Sequence, residues 1–303
     1  KPEAIYKYDV LRDCALLEKN RTFENLYSLI CAHGEVKAAE WIEDGEIKSL
    51  TFNELKKLAD NWAAKIKDTI GTEGRVCILL DSCKDWFPLF WGLVRSGHDV
   101  MTIDASMSDE RTIFLLDQAA CSIIVSAKGR NFPARFTQMT VLELSKAGEV
   151  SAYDPIWGHN IALCTSGTTA DSRIFVYDED TICYLALFSA KVHDENYLLI
   201  DDEPFKTLAF LPFHHILGFA AIFIWSHFLG DTTVYLKDRS AQTIVQTVHK
   251  CNVDQIVTVP LLANSLSKGL RAKLAQQSIF KRAAFELMLG LSLGVQSVAP
   301  EKG

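Results

Sequence analysis

Apolar and polar positions follow two periods along this chain, and from residue 37 onward a strand-like run is repeatedly followed by a helical one. Lys37 to Ile42 reads as a strand, and after an acidic turn Ser49–Phe52 leads into a helix. Thr51 and Glu54 form a T-x-x-E capping box at its start. Leu55, Leu58, Ala59, Trp62 and Ile66 then share one helical face as far as about Lys67. A buried-looking strand, Arg75 to Leu80, precedes a helix from Asp85 to Ser96, with Pro88 tolerated in its first turn and Gly97 as its stop. Val100 to Ile103 is the next strand, Ser108 caps a helix carrying Asp109 and Glu110 in its first turn, and Ser122 to Val125 is again a strand.

Periodicity weakens over residues 126–159 and then resumes. The pattern predicts strands at Ile161–Cys164, Ile174–Tyr177, Thr207–Phe210, Thr233–Leu236 and Gln255–Val259. Helices are expected over Asp180–Val192, Ile216–Phe228 and Ala241–Lys250, with a mostly helical end from Leu261 to Leu293. Apolar strands alternating with helices imply an α/β fold: two mostly parallel sheets flanked by helices. The weak stretch sets an expected division into residues 1–158, an N-terminal segment and first lobe, and residues 159–303, a second lobe.

Composition narrows the classes. The chain has 303 residues, 49% of them apolar, and Asp plus Glu (38) exceed Lys plus Arg (31) for a net charge of −7. That is a folding composition without the basic stripe that a nucleic-acid-binding module needs, so no nucleic-acid partner is expected. Eight cysteines show no CxxC and no metal-ligand spacing, which reads as reduced thiols and a cytoplasmic setting. The most apolar stretch, Ala209 to Leu229, is interrupted by Pro212, His214, His215, Gly218 and His227, so no transmembrane segment is expected. The chain begins at Lys1 and ends in a polar tail, and reads as a piece of something longer.

The strongest local signal is Thr165-Ser166-Gly167-Thr168-Thr169, directly after the predicted strand Ile161–Cys164. Such a loop offers backbone N–H groups and four hydroxyls to phosphate oxygens, with Gly167 allowing close approach. It is not a Walker loop, because no G-x-x-x-x-G-K-[ST] is present. Downstream, Leu211-Pro212-Phe213-His214-His215-Ile216-Leu217-Gly218 again follows a predicted strand. Upstream stand Gly74–Leu80, Trp86, Phe87, Gly97, Asp104 and Asp109-Glu110-Arg111.

In order and spacing these segments resemble the adenylate-forming (AMP-binding) superfamily of acyl-CoA synthetases, carrier-protein adenylation domains and luciferases. Its phosphate loop reads T-S-G-T-T-G-x-P-K-G, and a later signature resembles L-P-L-F-H-x-x-G. The helical tail after Val259-Pro260-Leu261-Leu262 looks most like the long-chain fatty acid–CoA ligase branch. The resemblance implies an ATP-dependent ligase that activates a small-molecule carboxylate, a fatty acid in that branch, as acyl-AMP with Mg²⁺ and passes it to CoA. By match to the motifs, Thr165, Ser166, Gly167, Thr168 and Thr169 would hold the β- and γ-phosphates, and His215 would lie near the acyl pocket and α-phosphate. His214 stands where the family has Phe or His and reads as a wall residue.

The chain departs from the family after Thr169, where Ala170-Asp171-Ser172-Arg173-Ile174 replaces G-x-P-K-G. Arg173 keeps the charge of the family's lysine as a planar fork. Ala170 and Ile174 replace glycines, and Asp171 adds a negative charge beside the phosphate site. The family supplies its adenine pocket, its Mg²⁺-associated Thr-Glu pair, its ribose-binding Asp and its adenylation Lys from segments that would lie beyond Gly303. The expectation is therefore the front part of a ligase, inactive by itself. The competing reading is a degenerate paralogue serving as a binding or assembly module. Gly290-Leu291-Ser292-Leu293-Gly294 matches a nucleophile elbow but follows a helix-like run and precedes no histidine. A metal site from His214, His215 and His227 lacks recognised spacing.

Overall fold

A computed structural model describes residues 2–164, 173–195, 204–260 and 268–269. Lys1–Val257 forms one unit and Thr258–Gly303 a second, and every strand among the described residues lies in the first. Helices α1 (Pro2–Lys19) and α2 (Phe23–Cys31) come first, α2 being capped by the Thr22 hydroxyl, which accepts from the Asn25 N–H at 3.2 Å. Strands β1 (Lys37–Glu43) and β2 (Glu46–Thr51) then form a hairpin. Its two turn residues, Asp44 and Gly45, have φ of 49° and 78°, the left-handed pair that a tight I′ turn requires. Thr51 closes β2 and opens α3 (Phe52–Ile70) through the expected capping box with Glu54.

From there strands and helices alternate: β3 (Arg75–Leu79), α4 (Trp86–Arg95), β4 (Asp99–Thr102), α5 (Asp109–Gln118) and β5 (Ile123–Ser126). The weakly patterned stretch holds β6 (Thr137–Thr140) and α6 (Val141–Leu144), too short to leave a period in the sequence. Next come β7 (Asn160–Cys164), β8 (Ile174–Asp178), α7 (Glu179–Glu195) and β9 (Lys206–Leu208). The helix expected from Ile216 begins as α8 (Ile216–Gly218), widens into a π-helical stretch (Phe219–Ile224) and returns as α9 (Trp225–Phe228). Strand β10 (Thr232–Tyr235) and α10 (Ala241–Cys251) follow.

Among the described residues the strands form two sheets, ordered β2-β1-β10-β9 and β6-β5-β3-β4-β7-β8. Pairing is parallel except at β1–β2 and β7–β8, so each sheet carries one antiparallel edge strand. The fold is thus α/β with two mostly parallel sheets flanked by helices. Each sheet draws strands from both sides of residue 158: β1 bonds to β10, and β7 lies between β4 and β8. The boundary expected near 158 is therefore not a boundary between sheets, because the ladders cross it.

The strand expected at Gln255–Val259 is reduced to one bridge between Gln255 and Thr207. The Asp254 carboxylate accepts the Lys206 N–H at 2.7 Å, taking a donor that a longer ladder would have used. The helical end expected over Leu261–Leu293 lies outside the described residues, apart from 268–269, which are helical.

Helix α4 is buried along its whole length. Phe87, Phe90 and Trp91 meet Phe23 and Tyr27 of α2 on one side and Phe219 and Phe223 of the π-helical stretch on the other, with centroids 5.0–6.3 Å apart. A separate core under the six-stranded sheet joins Cys77, Leu79, Met101, Ile103, Leu115, Leu116 and Ile124. The eight cysteines form no disulfide, consistent with thiols acting as small apolar side chains.

Candidate active site

Parallel strands of both sheets deliver their C-terminal ends to loops that meet one another, the usual ligand position in open α/β sheets. The loop after β9 is anchored first. Phe213 is fully buried against Trp86, Phe223 and Tyr235 at 5.4, 5.5 and 6.2 Å. Its N–H donates to the Ser82 hydroxyl oxygen, just beyond β3, at 3.0 Å. Gly218 lets the turn close: a Cβ there would stand 2.1 Å from the Pro212 carbonyl oxygen, so any side chain would push the loop apart. His215 takes the N-cap position of α8 in extended conformation, and its carbonyl accepts the Phe219 N–H at 2.8 Å.

This leaves two imidazoles in contact at the strand ends, with ring centroids 4.2 Å apart and planes inclined at 59°. The His214 side chain is 7% exposed and its Nε2 lies 3.8 Å from Oδ2 of Asp104, the loop residue that follows β4. Burial pushes His214 down to about 4, with His215 and Arg239 adding to the fall and Asp104 opposing it. His215 is half-buried and lowered for the same leading reason, again with Asp104 and Arg239 pulling in opposite directions. Asp104 is held below its ordinary value: burial works against ionisation, but two hydrogen bonds from Ser106 and the facing histidines outweigh it. Both imidazoles are therefore neutral at pH 7, and the carboxylate beside them is charged.

Arg173 and the phosphate loop attach to the same end of the six-stranded sheet. Leu163 of β7 pairs with Thr102 of β4, so Cys164 and Asp104 leave the sheet together. Cys164 pairs with Ile174 in the antiparallel β7–β8 register, so Arg173, which is exposed, stands across from the point where the chain leaves β7 for Thr165. Thr165, Ser166, Gly167, Thr168 and Thr169 themselves lie outside the described residues, as does the Gly290–Gly294 elbow.

His227, by contrast, is in the core. Its Nδ1–H donates to the Phe223 carbonyl, its ring packs on Phe87 at 5.0 Å, and burial pushes it down to about 4. Among the described residues no group of three or more His, Cys, Asp and Glu could hold a metal ion, so no Mg²⁺ ligand is assigned. Sequence reasoning did not give Asp104, Ser82 or Arg239 a place in the site. Their one signal is that each sits within a few residues of the end of an apolar strand.

Two mostly parallel sheets with a histidine-bearing loop and a Ser/Thr-rich segment at their strand ends define the N-terminal domain of adenylate-forming enzymes. The chain belongs to the AMP-binding enzyme family, which it matches over residues 32–296. Among solved structures it is similar to o-succinylbenzoate CoA synthetase from Bacillus subtilis, with a TM-score of 0.66 at 18% identity, covering 80% of this chain and 50% of that one. It is also similar to the N-terminal domain of FACL13 from Mycobacterium tuberculosis, with a TM-score of 0.65 at 17% identity, covering 80% and 64%. The N-terminal subdomain of NpsA from Klebsiella oxytoca aligns with a TM-score of 0.64 at 15% identity, covering 78% and 60%. The chain thus spans between half and two-thirds of the length of these structures. A curated relative, the nonribosomal peptide synthetase ungA' of Aspergillus campestris, is 29% identical over 105 residues, 34% of this chain and 1% of its own length. Among the described residues no helix is long and apolar enough to cross a membrane.

Proposed function

We propose that this chain is part of an ATP-dependent acid–thiol ligase that activates a carboxylic acid, a fatty acid in the branch its tail resembles, as acyl-AMP before transfer to CoA. One observation carries this reading: the His215 loop, the exit of β7 toward Thr165 and the side chain of Arg173 attach to facing strand ends. The Bacillus subtilis synthetase has been solved with AMP and with ATP and magnesium ion. In the proposed reaction a carboxylate oxygen attacks the α-phosphorus, the bond to the bridging oxygen breaks and pyrophosphate leaves; the thiol then displaces AMP.

The chain's own contribution is positioning and charge stabilisation. Amides and hydroxyls of Thr165 to Thr169 would cradle the β- and γ-phosphates, with Arg173 neutralising their charge. His215, neutral at pH 7, would face the carboxylate and α-phosphate without repelling a cationic partner. Magnesium ion would travel with the nucleotide phosphates.

The test has two parts. The 303 residues alone are expected to show no carboxylate-dependent pyrophosphate exchange, because they span only 50% to 64% of the solved structures they resemble. Pyrophosphate titration followed by amide shifts should show binding in the millimolar range, about 4 kcal/mol, weakened by salt and by Arg173→Ala. Exchange above background would overturn the first expectation. Perturbations elsewhere, or unchanged binding in Arg173→Ala, would overturn the phosphate assignment. The replacement of G-x-P-K-G by Ala170–Ile174 favours a second reading, a non-catalytic binding module. Binding without exchange, measured on the natural protein in which this chain occurs, would select it.

A further inference from the structure

We propose that Asp104 is the positioning residue of this site: its Oδ2 accepts the Nε2 proton of His214 and thereby sets the tautomer and orientation of the adjoining His214–His215 pair. The inference rests on the reading of His215 as a group facing the reacting carboxylate. It begins from an unpaired atom. Nε2 of His214 is buried without a hydrogen-bond partner, and the Asp104 carboxylate, 3.8 Å away, is the acceptor it faces. Catalytic hydrogen bonds are often long in ligand-free proteins and tighten when the site is filled.

The carboxylate is held for this task. The N–H and hydroxyl of Ser106 both donate to Oδ1, at 2.8 and 2.7 Å, which leaves Oδ2 directed at the imidazole. The loop that carries Asp104 is in turn clamped by Arg130, which donates to the carbonyls of Ala105 and Met107 and to the Asp109 carboxylate. Three charged or titratable groups face the pair: Asp104 from the loop after β4, Arg239 from the loop after β10, and each histidine for the other. With the His214 proton on Nε2, its Nδ1 carries the lone pair. A carboxylate that bonds one imidazole nitrogen in this way fixes which nitrogen is free for chemistry.

The experiment is long-range ¹⁵N correlation of the histidine rings in the full chain without nucleotide, with signals assigned through His214→Gln and His215→Gln. At pH 7 His214 is expected as the Nε2-protonated tautomer; an Nδ1-protonated His214 in the unmodified protein overturns the proposal without any variant. In Asp104→Asn the His214 tautomer should become mixed and the His215 midpoint should fall by at least ~0.5 unit, about threefold in proton affinity. Asp104→Glu should restore both. Asp117→Asn, which removes an equal charge from the exposed face of α5, should move neither. An Asp104 that merely fills space would leave tautomer and midpoint unchanged in Asp104→Asn, which also overturns the proposal. Because no nucleotide is present, the outcome is independent of whether phosphate binds at Thr165–Thr169.

Discussion

Phe213 donates its backbone N–H to the Ser82 hydroxyl oxygen at 3.0 Å, and this bond ties the loop after β9 in one sheet to the loop after β3 in the other. The Phe213 ring is fully buried beside it, so the N–H has no access to water as an alternative partner. Ser82→Ala should therefore destabilise the protein by about 1–3 kcal/mol, the cost of a buried donor left unpaired. Denaturant unfolding measures this, and a loss under a few tenths of a kcal/mol would show that the loops are joined by other means.

Arg130 governs the loop on the facing side. Its guanidinium donates at 2.7 Å to Asp109, at 2.7 Å to the Met107 carbonyl and at 3.3 Å to the Ala105 carbonyl. Lysine cannot reproduce that fork. Arg130→Lys should speed amide hydrogen exchange over residues 104–109 by tenfold or more while leaving β3 and β5 protected, a pattern that exchange mass spectrometry resolves.

Acid should weaken the core through His227. Its folded value is about 4, pushed down by burial, whereas an unfolded histidine titrates near 6.5. The unfolded chain therefore takes up this proton first, and the stability contributed by the neutral ring is full above pH 6.5 and lost as pH falls toward 4. The loss approaches ~3 kcal/mol from this group. His227→Gln, which cannot titrate and keeps an amide donor, should flatten the stability profile between pH 6.5 and 4 when unfolding is followed across that range.

Asp231 acts in the opposite sense. It is fully buried, its Oδ1 accepts the Phe205 N–H at 2.8 Å, and burial raises it to about 8 from an ordinary 3.8. The folded protein holds a proton that the unfolded chain releases, so stability falls as pH rises from about 4 to 8, by roughly 1 kcal/mol per unit. Asp231→Asn keeps the acceptor and removes the titration. It should gain stability relative to the parent with each unit from pH 5 to 8; a constant difference across that range would show that the carboxyl is ionised in the fold.

Much of this molecule is written locally. The Thr51–Glu54 box, the Ser108 cap, the Asp44–Gly45 turn and the apolar runs of β3, β4 and β7 each depend on residues a few positions apart. Backbone propensity and side-chain period act over that same range, which is why the alternation of strands and helices and the α/β class were legible in the residues. The order of motifs likewise pointed to the family through Thr165–Thr169 and the Pro212–Gly218 segment.

Partnership across the fold was decided elsewhere. Nothing near residue 158 tells β7 to pair with β4, or β1 with β10, because a parallel ladder is chosen by which apolar faces are buried together. The same holds for Gln255, whose strand is cut short by an Asp254 side chain meeting Lys206, 48 residues away. Ser82 and Phe213 are 131 residues apart. Asp104 reads as one acidic residue after a strand until the two sheets close and set its carboxylate opposite a buried imidazole. Sequence determined the elements and the chemistry available at their ends; only the packing of α4 between the α2 and Phe219–Ile224 aromatic surfaces brought those ends face to face, because burial of that aromatic surface is a property of the assembled chain and of no segment within it.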